Sequence, residues 1–298
     1  MPDHELLDPD AISRGEALGL LARRVVEGYR VGEHRSPFQG FALEFAQHRE
    51  YTAGDDIRHL DWKVLGRSDR YYIKQYEQDT NYVAHLVVDG STSMTYGSGK
   101  VTKFQFAKAL TACLAYLILN QRDAVALAMF DAGTQEYMRR TDNLGKVNHL
   151  MDRLAAYQPG EVTDLRKSLE DVAVRARAKG ITVIMSDFFD DEEAFDKGMQ
   201  RLSFGGSEVI VIQVLDPHEI TFPMDGTWRF LGLEGEEQIQ TSPRDIRKSY
   251  LESFDAFRKR VRGICEKYQA HYVLADTGKS LVEVLSGYLA FRQAIGRK

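Results

Sequence analysis

One stretch, Val83 to Met94 (Val-Ala-His-Leu-Val-Val-Asp-Gly-Ser-Thr-Ser-Met), constrains the fold of this chain more than any other. A short, almost wholly apolar run reads as a strand covered on both faces, as in a parallel sheet held between layers of helices. Its character changes at Asp89, which is followed by hydroxyls at Ser91 and Ser93. Ligands of open α/β sheets bind beyond the carboxyl ends of the strands, so these oxygens are placed to converge above the sheet edge. They suit a hard divalent cation, Mg2+ or Mn2+, which prefers carboxylate, hydroxyl and water oxygens. Ser and Thr also cap helices, and the stretch taken alone favours that plainer reading, in which they simply begin the next helix.

The rest of the chain alternates between strands and helices. Ala124 to Phe130, Ile181 to Met185, Glu208 to Leu215 and His271 to Leu274 read as strands, with a weaker one at Thr134 to Arg139. Apolar residues recur at helical spacing over Ala11 to Tyr29, Lys103 to Asn120, Asn143 to Tyr157, Leu165 to about Lys179, Glu192 to Leu202, Pro243 to Tyr268 and Leu281 to Arg297. Strand-then-helix repetition predicts an α/β, Rossmann-like protein: a mostly parallel central sheet with helices on both faces. Arg70 to Glu77 reads as a further strand, joined to the central one by a polar turn as a hairpin. We expect residues 1–70, a helix and an irregular Arg/Asp-rich segment, to pack on a main domain spanning 71–298.

Composition excludes several classes of function. The net charge is −5, and from Arg30 to Lys74 the interleaved Arg, Lys, Asp and Glu nearly cancel, which argues against a nucleic-acid groove. Such interleaving favours internal Arg–carboxylate pairs or a contact surface for a protein partner. The acidic start carries no signal-peptide core, and the most apolar helical run, Leu110 to Leu119, is too short to span a bilayer. A cytoplasmic protein without membrane insertion is expected. The two cysteines, Cys113 and Cys265, lie far apart in helical patterns and read as buried thiols. Gly97 to Lys100 resembles a fragment of a phosphate loop, but position 94 is Met where the motif needs Gly, so the segment reads as a flexible loop.

Two more oxygen donors stand where strands give way to loops: Thr163 in a middle loop and Asp187 after the run Ile181 to Met185. Asp89-x-Ser91-x-Ser93, then Thr163, then Asp187, resembles the metal-ion-dependent adhesion site of von Willebrand factor A domains. Upstream, Gly40 to Phe45, Arg49-Glu50-Tyr51, Gly54 to Arg58, Asp61-Trp62 and Arg67, with Asp216-Pro217-His218-Glu219 later, resemble the signature of a large bacterial family, domain of unknown function fifty-eight.

The resemblance implies a noncatalytic, metal-dependent protein-interaction module. Its relatives are associated with MoxR-type AAA+ ATPases in chaperone-like maturation of protein complexes. In von Willebrand factor A domains the hydroxyls matching Ser91 and Ser93 bind the metal directly. Thr163 would bind directly or through water, Asp89 and Asp187 through water, and an open position would take an Asp or Glu from a client protein. Arg49, Tyr51, Asp55, Arg58, Trp62 and Arg67 are the residues expected to touch a partner. The alternative is a metal-dependent hydrolase of phosphatase type. That chemistry wants a second acid two positions after the nucleophile, and position 91 is Ser.

Overall fold

The computed structural model describes residues 8–32, 44–50, 64, 71–77, 83–121, 123–131, 136–160, 165–176, 180–189, 192–226, 228–230 and 239–295. In chain order its elements begin with α1 (Pro9–Ile12), α2 (Gly15–Gly32), β1 (Glu44–Glu50), β2 (Tyr72–Glu77), β3 (Val83–Asp89), α3 (Lys103–Asn120), β4 (Ala124–Phe130) and β5 (Glu136–Thr141). They continue with α4 (Val147–Ala156), α5 (Leu165–Arg175), β6 (Gly180–Ser186), α6 (Glu192–Ser203), β7 (Glu208–Leu215) and α7 (Pro217–Thr221). The last are β8 (Trp228–Phe230), β9 (Ile239–Thr241), α8 (Pro243–Lys267), β10 (His271–Asp276) and α9 (Leu281–Ile295).

Six strands form the central sheet in the order β10-β7-β6-β3-β4-β5, all parallel except β5, which runs antiparallel to β4 at one edge. This is the α/β, Rossmann-like architecture that the alternation of apolar runs implied. All seven residues of β3 are buried, and they alternate between two cores. Ala84, Leu86 and Val88 face a layer that includes Leu110 and Leu114 of α3, whereas Val87 packs with Leu165 and Leu169 of α5 and Phe195 and Met199 of α6. Each fully buried aliphatic side chain of this kind contributes about 1.5–3 kcal/mol, which holds the central strand in register.

The N-terminal helix joins the first of these cores. Leu18, Leu21, Ala22, Val25 and Val26 of α2, spaced to fall on one face, are buried in the same cluster as α3 and Leu150 and Leu154 of α4. Lys108 on α3 is buried as well. Its Nζ donates to the carbonyls of Ala155 and Tyr157, 3.0 and 2.7 Å away, and burial pushes its ammonium down to about 8.

Two expectations need correction. The strand β2 forms, but it pairs antiparallel with β1 in a separate two-stranded sheet and makes no hairpin with β3. The reason is geometric: both edges of β3 are already taken, by β4 and β6. The stretch Gly32 to Arg70, which shows no lasting period, therefore contains a strand, because β1 takes its partner from beyond position 70. Cys113 and Cys265 are free and buried, and burial pushes both thiols up to about 12. No helix among the described residues is long and apolar enough to cross a membrane.

Candidate functional site

Numbered in chain order, the six strands of the sheet lie 6-5-4-1-2-3, so the order in which strands are added reverses between the first and the fourth, the parallel neighbours β3 and β6. That switch point opens a crevice at the carboxyl ends of the two strands, where open α/β sheets bind their ligands. Asp89 ends β3, and Asp187 directly follows β6.

Asp89 and Ser91 are buried, 3% and 4% exposed, and Ser93 is half-buried. The Ser91 N–H donates to Asp89 Oδ1 at 2.8 Å, and the Ser186 hydroxyl donates to Asp89 Oδ2. Ser91 stands at the N-cap of a short 3-10 turn, Thr92–Thr95, yet its side chain caps nothing: its Oγ lies 3.0 Å from Ser93 Oγ. The capping alternative is therefore not the use made of this serine. Burial first, and the charge of Asp187 second, push the Asp89 carboxyl up to about 7. Asp89 thus sits in a desolvated spot in which further negative charge is costly.

The loop carrying the serines is tightly set. The Gly90 N–H donates to the Phe130 carbonyl at 2.8 Å, and a Cβ at Gly90 would stand 2.5 Å from a ring carbon of Tyr157. From the next loop, the Gly160 N–H donates to the Gly90 carbonyl at 3.0 Å, while the Thr92 hydroxyl donates to the Gly160 carbonyl at 2.7 Å. On the other side Phe188 adopts φ 61, a conformation that costs a bulky residue about 1–3 kcal/mol. Phe188 is buried, whereas the next residue, Phe189, is 40% exposed at the rim and donates its N–H to Asp187 Oδ1 at 3.1 Å.

A third group enters from α3. Lys103, 1% exposed, donates to Asp187 Oδ2 at 2.7 Å and to Glu219 Oε1 at 2.6 Å, beneath the ring of Phe189. Burial opposes its charge, but Asp187 and Glu219 outweigh that and leave the ammonium raised. Glu219 is itself raised by burial, against the pull of Lys103, and it accepts the Asp216 N–H at 2.8 Å. Asp216 caps α7 through the His218 N–H and also holds Ser98, from both its N–H at 2.8 Å and its hydroxyl at 2.5 Å. Ser98, within the segment Gly97 to Lys100 expected to be a flexible loop, is thereby held at the end of β7.

Four of the five expected ligands, Asp89, Ser91, Ser93 and Asp187, are described: hydrogen bonds link the segment Asp89 to Ser93, and Asp187 is near enough for its charge to act on Asp89. Thr163 lies outside the described residues, as do Tyr51, Asp55, Arg58, Trp62 and Arg67, and of Arg49 only the backbone, in β1, is described. Among the described residues no cluster of three His, Cys, Asp or Glu side chains is suited to a metal. The set found here differs in kind, with hydroxyls in place of further carboxylates, and its all-oxygen chemistry fits Mg2+ or Mn2+. Ser186 and Lys103 escaped the sequence reading. Lys103 did leave a trace, since a cation at the first residue of a helix opposes the macrodipole unless something nearby compensates it.

Fold and site together define an α/β, Rossmann-like protein with an oxygen-rich crevice at its strand ends. Residues 47–260 match the family model described as protein of unknown function DUF58, and the chain belongs to that family. Uncharacterized proteins of Mycobacterium tuberculosis and Mycobacterium bovis are 28% identical to it over 221 residues, covering 72% of this chain and 68% of theirs. Among solved structures, conserved hypothetical protein BatB of Bacteroides thetaiotaomicron covers 71% of this chain and 98% of its own, with 15% identity and a TM-score of 0.47. The SpRpn10 VWA domain covers 69% and 94%, with 13% identity and a TM-score of 0.42.

Proposed function

We propose that this protein is a noncatalytic adaptor that holds Mg2+ or Mn2+ at Asp89, Ser91, Ser93, Thr163 and Asp187 and docks an acidic side chain of a client protein there. The observation that carries the reading is the Ser91–Ser93 hydroxyl pair, 3.0 Å apart, beside a buried Asp89 pushed up to about 7. When bound, the cation would supply the positive charge that attracts the client's carboxylate in a partly dry crevice. The chain's own residues do the rest. Ser186 and the Ser91 N–H fix the Asp89 carboxylate, the Gly90–Gly160 contacts fix the serine loop, and buried strands keep bulk water from beneath the site. Partnership with a MoxR-type AAA+ ATPase rests on the family resemblance, with Arg49, Tyr51, Asp55, Arg58, Trp62 and Arg67 as its contact residues. The phosphatase-type alternative wants a second acid two positions after Asp89, and position 91 is Ser.

The test is capture of partners from cell extract by the immobilised chain, with and without chelator. Capture should need the metal and be lost in Asp89→Ala and Ser91→Ala while circular dichroism stays unchanged. Capture that persists in chelator overturns the reading.

A further inference from the structure

Lys103 is the first residue of α3, where a cation opposes the helix dipole, and it is one of the largest fully buried side chains of the protein. A lysine this deeply buried needs a compensating arrangement, and the structure supplies two carboxylates, Asp187 at 2.7 Å and Glu219 at 2.6 Å. One of the two is also an expected metal ligand. On the metal reading Asp187 would face two positive species, a tethered ammonium and a divalent cation.

We propose that Lys103 is a built-in competitor for the metal, lowering its affinity by holding Asp187, and that Glu219 relieves this competition by drawing the ammonium away. The proposal rests on the metal reading above and adds to it a residue that sets affinity and a link to the Asp216-Pro217-His218-Glu219 turn. Glu219 can play this part because it is anchored independently of Lys103. Its Oε2 accepts the Asp216 N–H at 2.8 Å, and its carbonyl accepts the Tyr250 hydroxyl of α8 at 3.1 Å. Asp216 is fastened to Ser98, seated in the loop that leads into α3. The turn after β7, the loop before α3 and the strand-end carboxylates therefore form one hydrogen-bonded chain, and a cation that takes charge from Asp187 shifts Lys103 toward Glu219 along it.

Mn2+ binding to the full chain, read by calorimetry and by the electron paramagnetic resonance of free Mn2+, tests the proposal. Lys103→Gln should bind Mn2+ about tenfold more tightly than wild type, because like charges close together in a poorly screened site repel. Glu219→Gln should bind it more weakly, since Lys103 then falls wholly to Asp187. A purely structural role for the pair would move both variants in the same direction. If Lys103→Gln fails to fold, the double variant Lys103→Gln/Glu219→Gln decides: tighter binding than Glu219→Gln alone supports competition, and equal binding overturns it. Wild-type binding that is lost in Asp89→Ala but unchanged in Lys103→Gln overturns the competition and leaves the metal reading standing. Absence of Mn2+ binding in every protein, wild type included, overturns both.

Discussion

Asp89 and Asp216 both stand where a buried strand of the same sheet ends, and both are almost fully enclosed, yet they are put to opposite uses. The Asp216 carboxylate accepts the Ser98 N–H and hydroxyl, the His218 N–H at 2.8 Å and the Thr277 hydroxyl at 3.4 Å. Its capacity is consumed in fastening three segments of its own chain. Asp89 accepts from Ser91 and Ser186, but it faces another carboxylate, which together with burial drives its pKa up. A buried Asp whose oxygens are filled by donors is a fastener, whereas one set beside a second carboxylate is driven to hold its proton.

That contrast can be broken or sharpened by experiment. The largest effect is expected from Asp216→Ala, which strands buried donors and removes a helix cap, and should lower the urea unfolding free energy by about 3 kcal/mol. Asp89→Asn, measured in chelator, should cost no more than about 1 kcal/mol, because it also removes the repulsion with Asp187. Equal losses from the two would erase the distinction.

A smaller effect separates the two through pH. The Asp89 carboxyl sits at about 7 in the folded chain against an ordinary 3.8, so the folded state keeps a proton that the unfolded state has lost. Its contribution to stability is fully present below the ordinary value and fades as pH rises through about 7. Thermal unfolding of the metal-free protein should therefore move to lower temperature between pH 5 and pH 8, and Asp89→Asn should flatten that slope. The smallest effect is expected from Thr277→Val, which removes one long hydrogen bond of several to Asp216 and should cost about 0.5 kcal/mol by urea titration.

The parts of this fold that were legible in the sequence are those whose signal is local. The apolar runs of β3, β4, β6 and β7 announce themselves because both faces of each strand are covered. The partner of β2 does not, since pairing with β1 is a choice among distant segments that no period encodes. The same division holds in the site. The places of Asp89, Ser91, Ser93 and Asp187 at strand ends could be read because each stands at or just beyond the end of an apolar run. Lys103 could not, because it lies 84 residues from Asp187 and 116 from Glu219, inside what reads as an ordinary amphipathic helix. Ser186, the donor to Asp89, is 97 residues from it and looks like any serine at the end of a strand.

The two-way clasp of Gly160 on Gly90 and Thr92 has a mechanical consequence. It ties together two loops that are remote in sequence, so a pull on the serine loop is passed on to Gly160. A load placed on either loop is shared by the other.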